Sequence, residues 1–385
     1  ITRIFAVDLR GGAWRQLIDH GADPTFVSPD LVLYGRLDPT MPGFVGRLFA
    51  QRVDPATLTQ RGDPVMIADG VRDAGGTFSY TVSSTGALAY LPSQGDGKKL
   101  VVNRRGQVVD TIPMDGTWTH QLARSKPEVA LGGHGVVIYD MARRTSIAVA
   151  GLSSSPVWGP GDSVLAGLGT GPTKTLANYG IHRVDLATGA DTLLMRTTAQ
   201  SALPTDWSRD GRYLFVTRAA STSDTLERSE IWAYDFAAGR FIRVLATAGN
   251  VGEGALSPDG KWLAYDSDES GANEIYVRPF LRPGAAMRIS IDGGRHARWR
   301  GDGRELYFET GDGRMMSASV APDAPLALGK PDLLFRAPSW IGSMFFDSGI
   351  PYDVNSDGTQ FVLRMAPAST AAVLVQNWPA LLGAK

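Results

Sequence analysis

The chain has 385 residues and a net charge of −1, with 43% hydrophobic and 20% charged residues. That is enough apolar chain for a substantial core, and it excludes both a disordered segment and a global field for nucleic acid or anionic lipid. Cysteine is absent, which excludes disulfides, thiolate zinc sites and a Cys nucleophile while leaving the compartment open.

From the amino end, residues 4–18 read as two strands around the Gly11-Gly12 turn. The first tight turn, Ser28-Pro29-Asp30, leads into Leu31–Tyr34, with partner strands Gly46–Val53 and Pro64–Ala68. A second signature, Tyr80–Gly86, leads into Ala87–Leu91, and Leu100–Arg104 and Val108–Ile112 complete that unit. The third unit lacks an Asp-Gly turn between Leu122 and Leu131, so a small or distorted blade is expected there, although Val136–Asp140 and Ser146–Ala150 read as strands. The fourth runs from Ser155 to Asp162, then through Ser163–Ala166, Gly180–Asp185 and Asp191–Met195. The fifth is clearer: the turn at Ser208-Arg209-Asp210-Gly211 precedes Arg212–Thr217, Glu230–Asp235 and Phe241–Leu245.

The best-preserved copies are the sixth and seventh, with turns at Ser257-Pro258-Asp259-Gly260 and Arg300-Gly301-Asp302-Gly303 and strands Lys261–Tyr265, Glu274–Arg278, Arg304–Phe308 and Arg314–Val320. Asp-Gly suits such turns because both residues tolerate positive φ. The eighth runs from Tyr352 to Gly358, through Thr359–Arg364, to Ala372–Trp378. The hydrophobic period never becomes helical, so the chain is all-β. A turn–strand unit recurring about every 45 residues predicts a β-propeller of four-stranded blades, eight of them, with six or seven as alternatives. A blade is unstable alone and stacks on its neighbours until the ring closes. Closure is expected from Ile4–Leu9 or Trp14–Ile18 completing the blade of Ala372–Trp378, which makes residues 1–385 a single domain.

The wording of residues 257–280 and 297–320 resembles the TolB-like, WD-repeat-like propeller modules of large bacterial proteins. The nearest resemblance is to the carboxy-terminal propeller of bacterial membrane-anchored Ser/Thr kinases. Residues 48–54, 62–65, 82–90, 204–208, 352–362 and the Asn377-Trp378 ending agree with it. A kinase domain is missing, because no Gly-rich phosphate loop, His-Arg-Asp loop or Asp-Phe-Gly occurs. Such propellers serve as binding or scaffolding surfaces, so the resemblance implies a fold more than an activity.

The search for chemistry returns turns. No Gly-x-Ser-x-Gly elbow exists, and Ser208 and Ser257 belong to repeat turns. The histidines His20, His120, His134, His182 and His296 lack metal-ligand spacing and read as surface or loop residues. Asp266, Asp268, Gly271 and Asn273 faintly follow a calcium loop, but the twelfth-position carboxylate is missing and a hairpin turn explains them. Residues 167–175 have no Gly before Lys174 and no helix after it, so they are an inter-strand loop. Alternation splits the basic run Arg295–Arg300 across two faces, with acids nearby, which argues against nucleic acid. Trp340, Ile341, Met344, Phe345 and Phe346 have the composition of an interface centre and form the candidate partner surface, with the buried inner strand of the last blade as the competing reading. The long loops at residues 37–46 and 219–229 are further candidates.

The sequence therefore predicts a non-catalytic propeller without cofactor or metal. It would bind a protein partner as a scaffold or accessory subunit of a periplasmic or extracellular, membrane-associated complex. No apolar run approaches the roughly 20 residues of a membrane span. The alternatives are a ligand- or peptide-sensing propeller of a receptor kinase, and a hydrolase or lyase working at the channel mouth.

Overall fold

The computed structural model describes residues 3–7, 14–37, 45–72, 77–83, 87–92, 99–113, 117–133, 135–173, 175–197, 202–220, 228–321, 326–337, 351–364 and 372–382. These are strands, tight turns and three short 3-10 turns, and no helix among them is long and apolar enough to cross a membrane. The chain forms two compact units, Lys98–Ala366 and Ile1–Gly97 with Pro367–Lys385.

Lys98–Ala366 is a ring of antiparallel sheets. Blade 1 is Thr117–Leu122, Glu128–Gly133, Val136–Asp140 and Thr145–Val149, and blade 2 is Leu152–Trp158, Val164–Gly169, Gly180–Asp185 and Asp191–Arg196. Blade 3 is Ala202–Trp207, Tyr213–Ala220, Arg228–Asp235 and Arg240–Leu245, and blade 4 is Ala255–Leu256, Trp262–Ser267, Glu274–Pro279 and Met287–Arg288. Blade 5 is built on Arg295–Trp299, Glu305–Glu309 and Arg314–Ala321, the last of which pairs with both Ala327–Leu328 and Asp332–Arg336. Blade 6 takes its strands from both ends of the unit, in the order Tyr352–Val354, Gln360–Arg364, Lys99–Asn103, Val108–Ile112.

The strand strings read as continuous apolar runs because both faces of each blade are buried. Leu263 and Tyr265 face the core shared with blade 3, where Phe215 and Ile231 lie, while Ala264 between them joins Leu306 and Phe308 of blade 5. Blade 6 behaves the same way: Phe361 and Val102 pack with Tyr307 and Phe335, whereas Val362 and Val101 pack with Val129 and Leu131 of blade 1. Further cores join blade 1 to blade 2 through Ala130 and Trp158, and blade 2 to blade 3 through Ala166 and Leu214. The ring is thereby closed.

Six blades make this ring, one of the two alternatives to the eight expected. The second predicted unit is divided: Tyr80–Val82 and Leu88–Tyr90 belong to the other unit, and Lys99–Ile112 supplies half of blade 6. The third unit, expected to be small or distorted, is a regular four-stranded blade, with a hairpin across Ala123–Pro127 in place of the Asp-Gly turn. The closing contact also differs. Val373–Val375 pairs with Leu88–Tyr90, while Arg3–Ala6 pairs with Arg15–Asp19 and with no other described strand.

An ion pair fastens blade 6 to blade 5. Arg104 donates to Glu305 through both Nη atoms, at 2.9 and 2.8 Å, and to the Tyr307 hydroxyl at 2.8 Å. Those bonds, Arg104 first, hold the Glu305 carboxyl down at about 2. Because Arg104 is partly exposed and Arg300 also reaches Glu305, Arg104→Met is expected to cost about 1.5 kcal/mol. Urea unfolding checks this, and a loss below about 0.5 kcal/mol would mean that the fork contributes nothing to closure.

In the smaller unit, Ala22–Ser28, Leu31–Leu37, Val45–Asp54 and Thr59–Arg72 form a four-stranded sheet. One face packs on the three-stranded sheet of Val373–Val375, Leu88–Tyr90 and Tyr80–Val82, with Leu33 and Leu48 in one core with Leu88, Phe78 and Trp378. The other face takes Ile4, Leu17 and Ile18 of the two-stranded sheet against Val32 and Tyr34. Gly35 is required for this packing, since a Cβ there would lie 2.1 Å from the Phe78 ring.

Candidate functional site

The repeat turns set the register of the inner strands. In blade 3 the Ser208 hydroxyl donates to Asp210 at 2.6 Å and accepts the Tyr213 N–H at 2.8 Å, and Gly211 takes φ 77°. Blade 4 repeats this with Ser257, Asp259, Trp262 and Gly260 at φ 74°. Both serines are therefore committed to turns, as expected of them.

Counting back from these turns brings Gln121, Asp206 and Asp353 to one level of the ring. Each accepts the backbone N–H of the following blade: Gln121 from Trp158 at 2.5 Å, Asp206 from Leu256 at 2.9 Å and Asp353 from Leu122 at 2.7 Å. Tryptophans one position on complement these bonds, with Trp158 donating its indole N–H to the Gln121 carbonyl and Trp299 to that of Ala255, both at 3.0 Å. The polar residues at this level thus bind blade to blade. A buried acceptor or indole left unmade would cost about 1–3 kcal/mol each.

Deeper in the ring lies a buried charged cluster. Arg298 approaches Glu253 at 3.4 Å and Asp353 at 3.6 Å, and His296 Nδ1 lies 3.1 Å from Glu309. Burial raises the pKa of Glu253 and raises that of Asp353 to about 6, although Arg298 opposes both shifts. Burial works against the charge on His296, but Glu253, Glu309 and Asp266 outweigh it and its pKa is raised. His120 goes the other way: burial and the charge of Lys99 lower it to about 3. His296 also carries a left-handed backbone, φ 56°, beside a bulge in the first strand of blade 5. Such strain costs about 1–3 kcal/mol and marks positions that the surrounding fold over-determines.

Above the cluster, a concave mouth opens where the inner strands reach their turns, lined among others by Arg124, Asp206, Arg209, Trp299, Gly301 and Ser356. Arg124 contacts Asp206 at 3.3 Å and donates to the Trp207 carbonyl, and its own carbonyl accepts from Ser356 at 2.6 Å. Gly301 donates its N–H to Ser356 at 2.8 Å, and a Cβ there would lie 2.4 Å from the Ser356 carbonyl oxygen. This glycine permits the close approach that narrows the rim.

Several expectations are revised by this placement. His120, His182 and His296 are buried, where surface or loop positions were expected, because all but the outer strands of a closed ring are covered on both faces. His182 is held by Asp191 at 2.6 Å. The run Arg295–Arg300 enters the channel wall, with Arg298 buried, and presents no basic stripe. Asp268 and Gly271, φ 94°, form the hairpin turn expected of them. Residues 167–169, expected in a loop, finish a strand of blade 2. Trp340, Ile341, Met344, Phe345 and Phe346 lie outside the described residues, as do residues 38–44 and 221–227 of the long loops. Sequence reasoning missed Arg124, Arg209, Asp206, Glu253 and Asp353. Aligning the repeats column by column exposes one of them: Arg209 stands where other blades carry Pro258, Gly301 or Ser356.

The sequence matches no protein-family model and no curated protein. Among solved structures it is similar to a chain designated TolB from Agrobacterium tumefaciens, at 16% identity and a TM-score of 0.54, over 72% of this chain and 100% of that one. TolB from Acinetobacter baumannii matches at 15% identity and a TM-score of 0.44, over 80% and 83% of the two chains. The Cps50 (Swd1) β-propeller domain of Myceliophteria thermophila matches at 16% and 0.41, over 57% and 71%. At such identities the likeness is one of architecture, and the first of these carries it: the chain has the fold of a TolB-like β-propeller.

Proposed function

We propose that the protein is a non-catalytic propeller that binds a protein partner at the mouth bearing Arg124, Arg209 and Trp299, as an accessory module of an extracytoplasmic or membrane-associated assembly. The observation that carries this reading is how the polar groups are spent. Asp206 and Asp353 accept backbone N–H groups between blades, and Arg298 is held by Glu253 and Asp353. His296 faces Glu309, so these channel groups are spent on holding the ring together. What remains for function is its rim, a concave surface with an aromatic wall and an exposed guanidinium. The extracytoplasmic placement follows the resemblance to TolB-like modules.

Photo-crosslinking in extracts of the native source tests this. Benzoyl-phenylalanine at Asp302, exposed beside Gly301 on the rim, is expected to capture one discrete protein. The same probe at Ile147, 71% exposed on the outer strand of blade 1, is expected to capture none. Identical patterns at the two positions would remove the rim as the docking face.

A further inference from the structure

We infer that the rim recognises a carboxylate of its partner, held by Arg209 beside the Trp299 ring; this rests on the docking reading above. The charges of the mouth are otherwise neutralised within the fold. Arg124 pairs with Asp206 at 3.3 Å. Asp162 accepts from the Arg124 and Ser125 backbone at 3.1 and 2.7 Å and from the Ser125 hydroxyl at 2.5 Å. Asp206 also accepts from Trp207 and Leu256, and Asp353 is divided between Leu122 and Arg298.

Arg209 is different. Among the described residues it has no hydrogen bond or ion pair, and it is exposed at the rim. Its guanidinium lies over Gly301, where a Cβ would sit 3.1 Å from Nη2, so the missing side chain keeps that space open. Partial desolvation and the like charge of Arg124 lower its pKa against the pull of Asp206, Asp162 and Asp302, and an incoming anion relieves both. A planar guanidinium fork matches a carboxylate in two parallel bonds. A single uncommitted cation fits one monoanion better than a phosphate backbone, which requires several cations along its length. Trp299 has its N–H committed to Ala255, which leaves its ring as an apolar wall for the group next to the carboxylate.

The carboxylate could come from an Asp or Glu side chain or from a chain terminus, and two synthetic arrays of the same random nonapeptides separate these. One array presents free C-termini and the other amidated ones. The full chain, Arg209→Gln and Arg240→Gln are the probes, Arg240 being exposed on the outer strand of blade 3. Enrichment of Asp and Glu on both arrays assigns a side-chain carboxylate, and enrichment confined to free C-termini assigns a terminal one. Either preference should drop about tenfold in Arg209→Gln and persist in Arg240→Gln. Because Arg209 makes no bond within the described fold, its variant should keep the melting midpoint of the parent. Peptide binding without carboxylate preference, equal in the parent and Arg209→Gln, overturns the inference and leaves the docking reading intact. No binding of any peptide, together with no capture at Asp302, overturns both.

Discussion

Phe361→Ala is expected to lower the unfolding free energy by about 4 kcal/mol, the range for removing a buried phenyl ring from a packed core. Phe361 is fully buried, meets Tyr307 and Phe335 edge-on at 5.3 and 5.4 Å, and pairs with Val102 in blade 6. It therefore stands where the carboxy-terminal half of that blade joins the amino-terminal half and where both pack on blade 5. The ring cannot relax around the cavity without opening this joint, so the cost should lie well above that of an exposed residue. Val109→Ala, 52% exposed on the outer strand of the same blade, should stay within about 0.5 kcal/mol of the parent. Urea unfolding of both variants measures the contrast. A loss under about 1 kcal/mol for Phe361→Ala would mean that blade 6 is not the joint that closes the ring.

The local grammar of the fold was legible, because Ser-x-Asp-Gly turns satisfy themselves within six residues and need no tertiary partner. A second repeat went unread. Asp54, Asp140, Asp185 and Asp235 each accept the N–H groups two and three residues on. Each of these turns ends in a left-handed residue: Leu58, Arg144, Gly189 or Gly239. This Asp-x-Ala turn joins the last two strands of blades 1–3 and of the four-stranded sheet in the smaller unit, and it would have marked blade 1 as regular. Strand partners were not legible. Gln360–Arg364 chooses Lys99–Asn103 across most of the unit, and nothing in either apolar string distinguishes it from the other inner-face strings. The site was hidden for a related reason. Asp353 and Arg298 read as turn-flanking and basic-run residues, and only closure of the ring brings them within 3.6 Å of each other.

Closure also sets a balance of protons that two substitutions should expose. An unfolded Asp353 would titrate at 3.8, while the folded one titrates at about 6. Between those values the native state holds a proton that the unfolded state has released, so stability from this group is lost as pH rises from about 4 to 6. His120 has the opposite sign. Its ordinary value of 6.5 falls to about 3 on burial beside Lys99, so below 6.5 the unfolded state binds the extra proton and stability is gained as pH rises from about 3 to 6.5. Each slope is about 1.4 kcal/mol per pH unit, and across pH 4–6 they oppose each other. The lowered carboxyls Asp54, Glu305 and Asp312, at about 2, act below this window. The raised values of Glu253 and His296 add to the sign of Asp353 and continue it toward neutral pH. The stability of the parent should therefore fall gently as pH rises from 4 to 6, His120 offsetting part of the loss from Asp353 and Glu253. Asp353→Asn keeps an acceptor for the Leu122 N–H and removes the titration, leaving only Glu253 to oppose His120, so relative to the parent this variant should lose stability as pH falls from 6 to 4. His120→Gln should do the reverse and lose stability as pH rises through the same window. If the two variants follow parallel pH profiles, the opposing protons are not located in the ring.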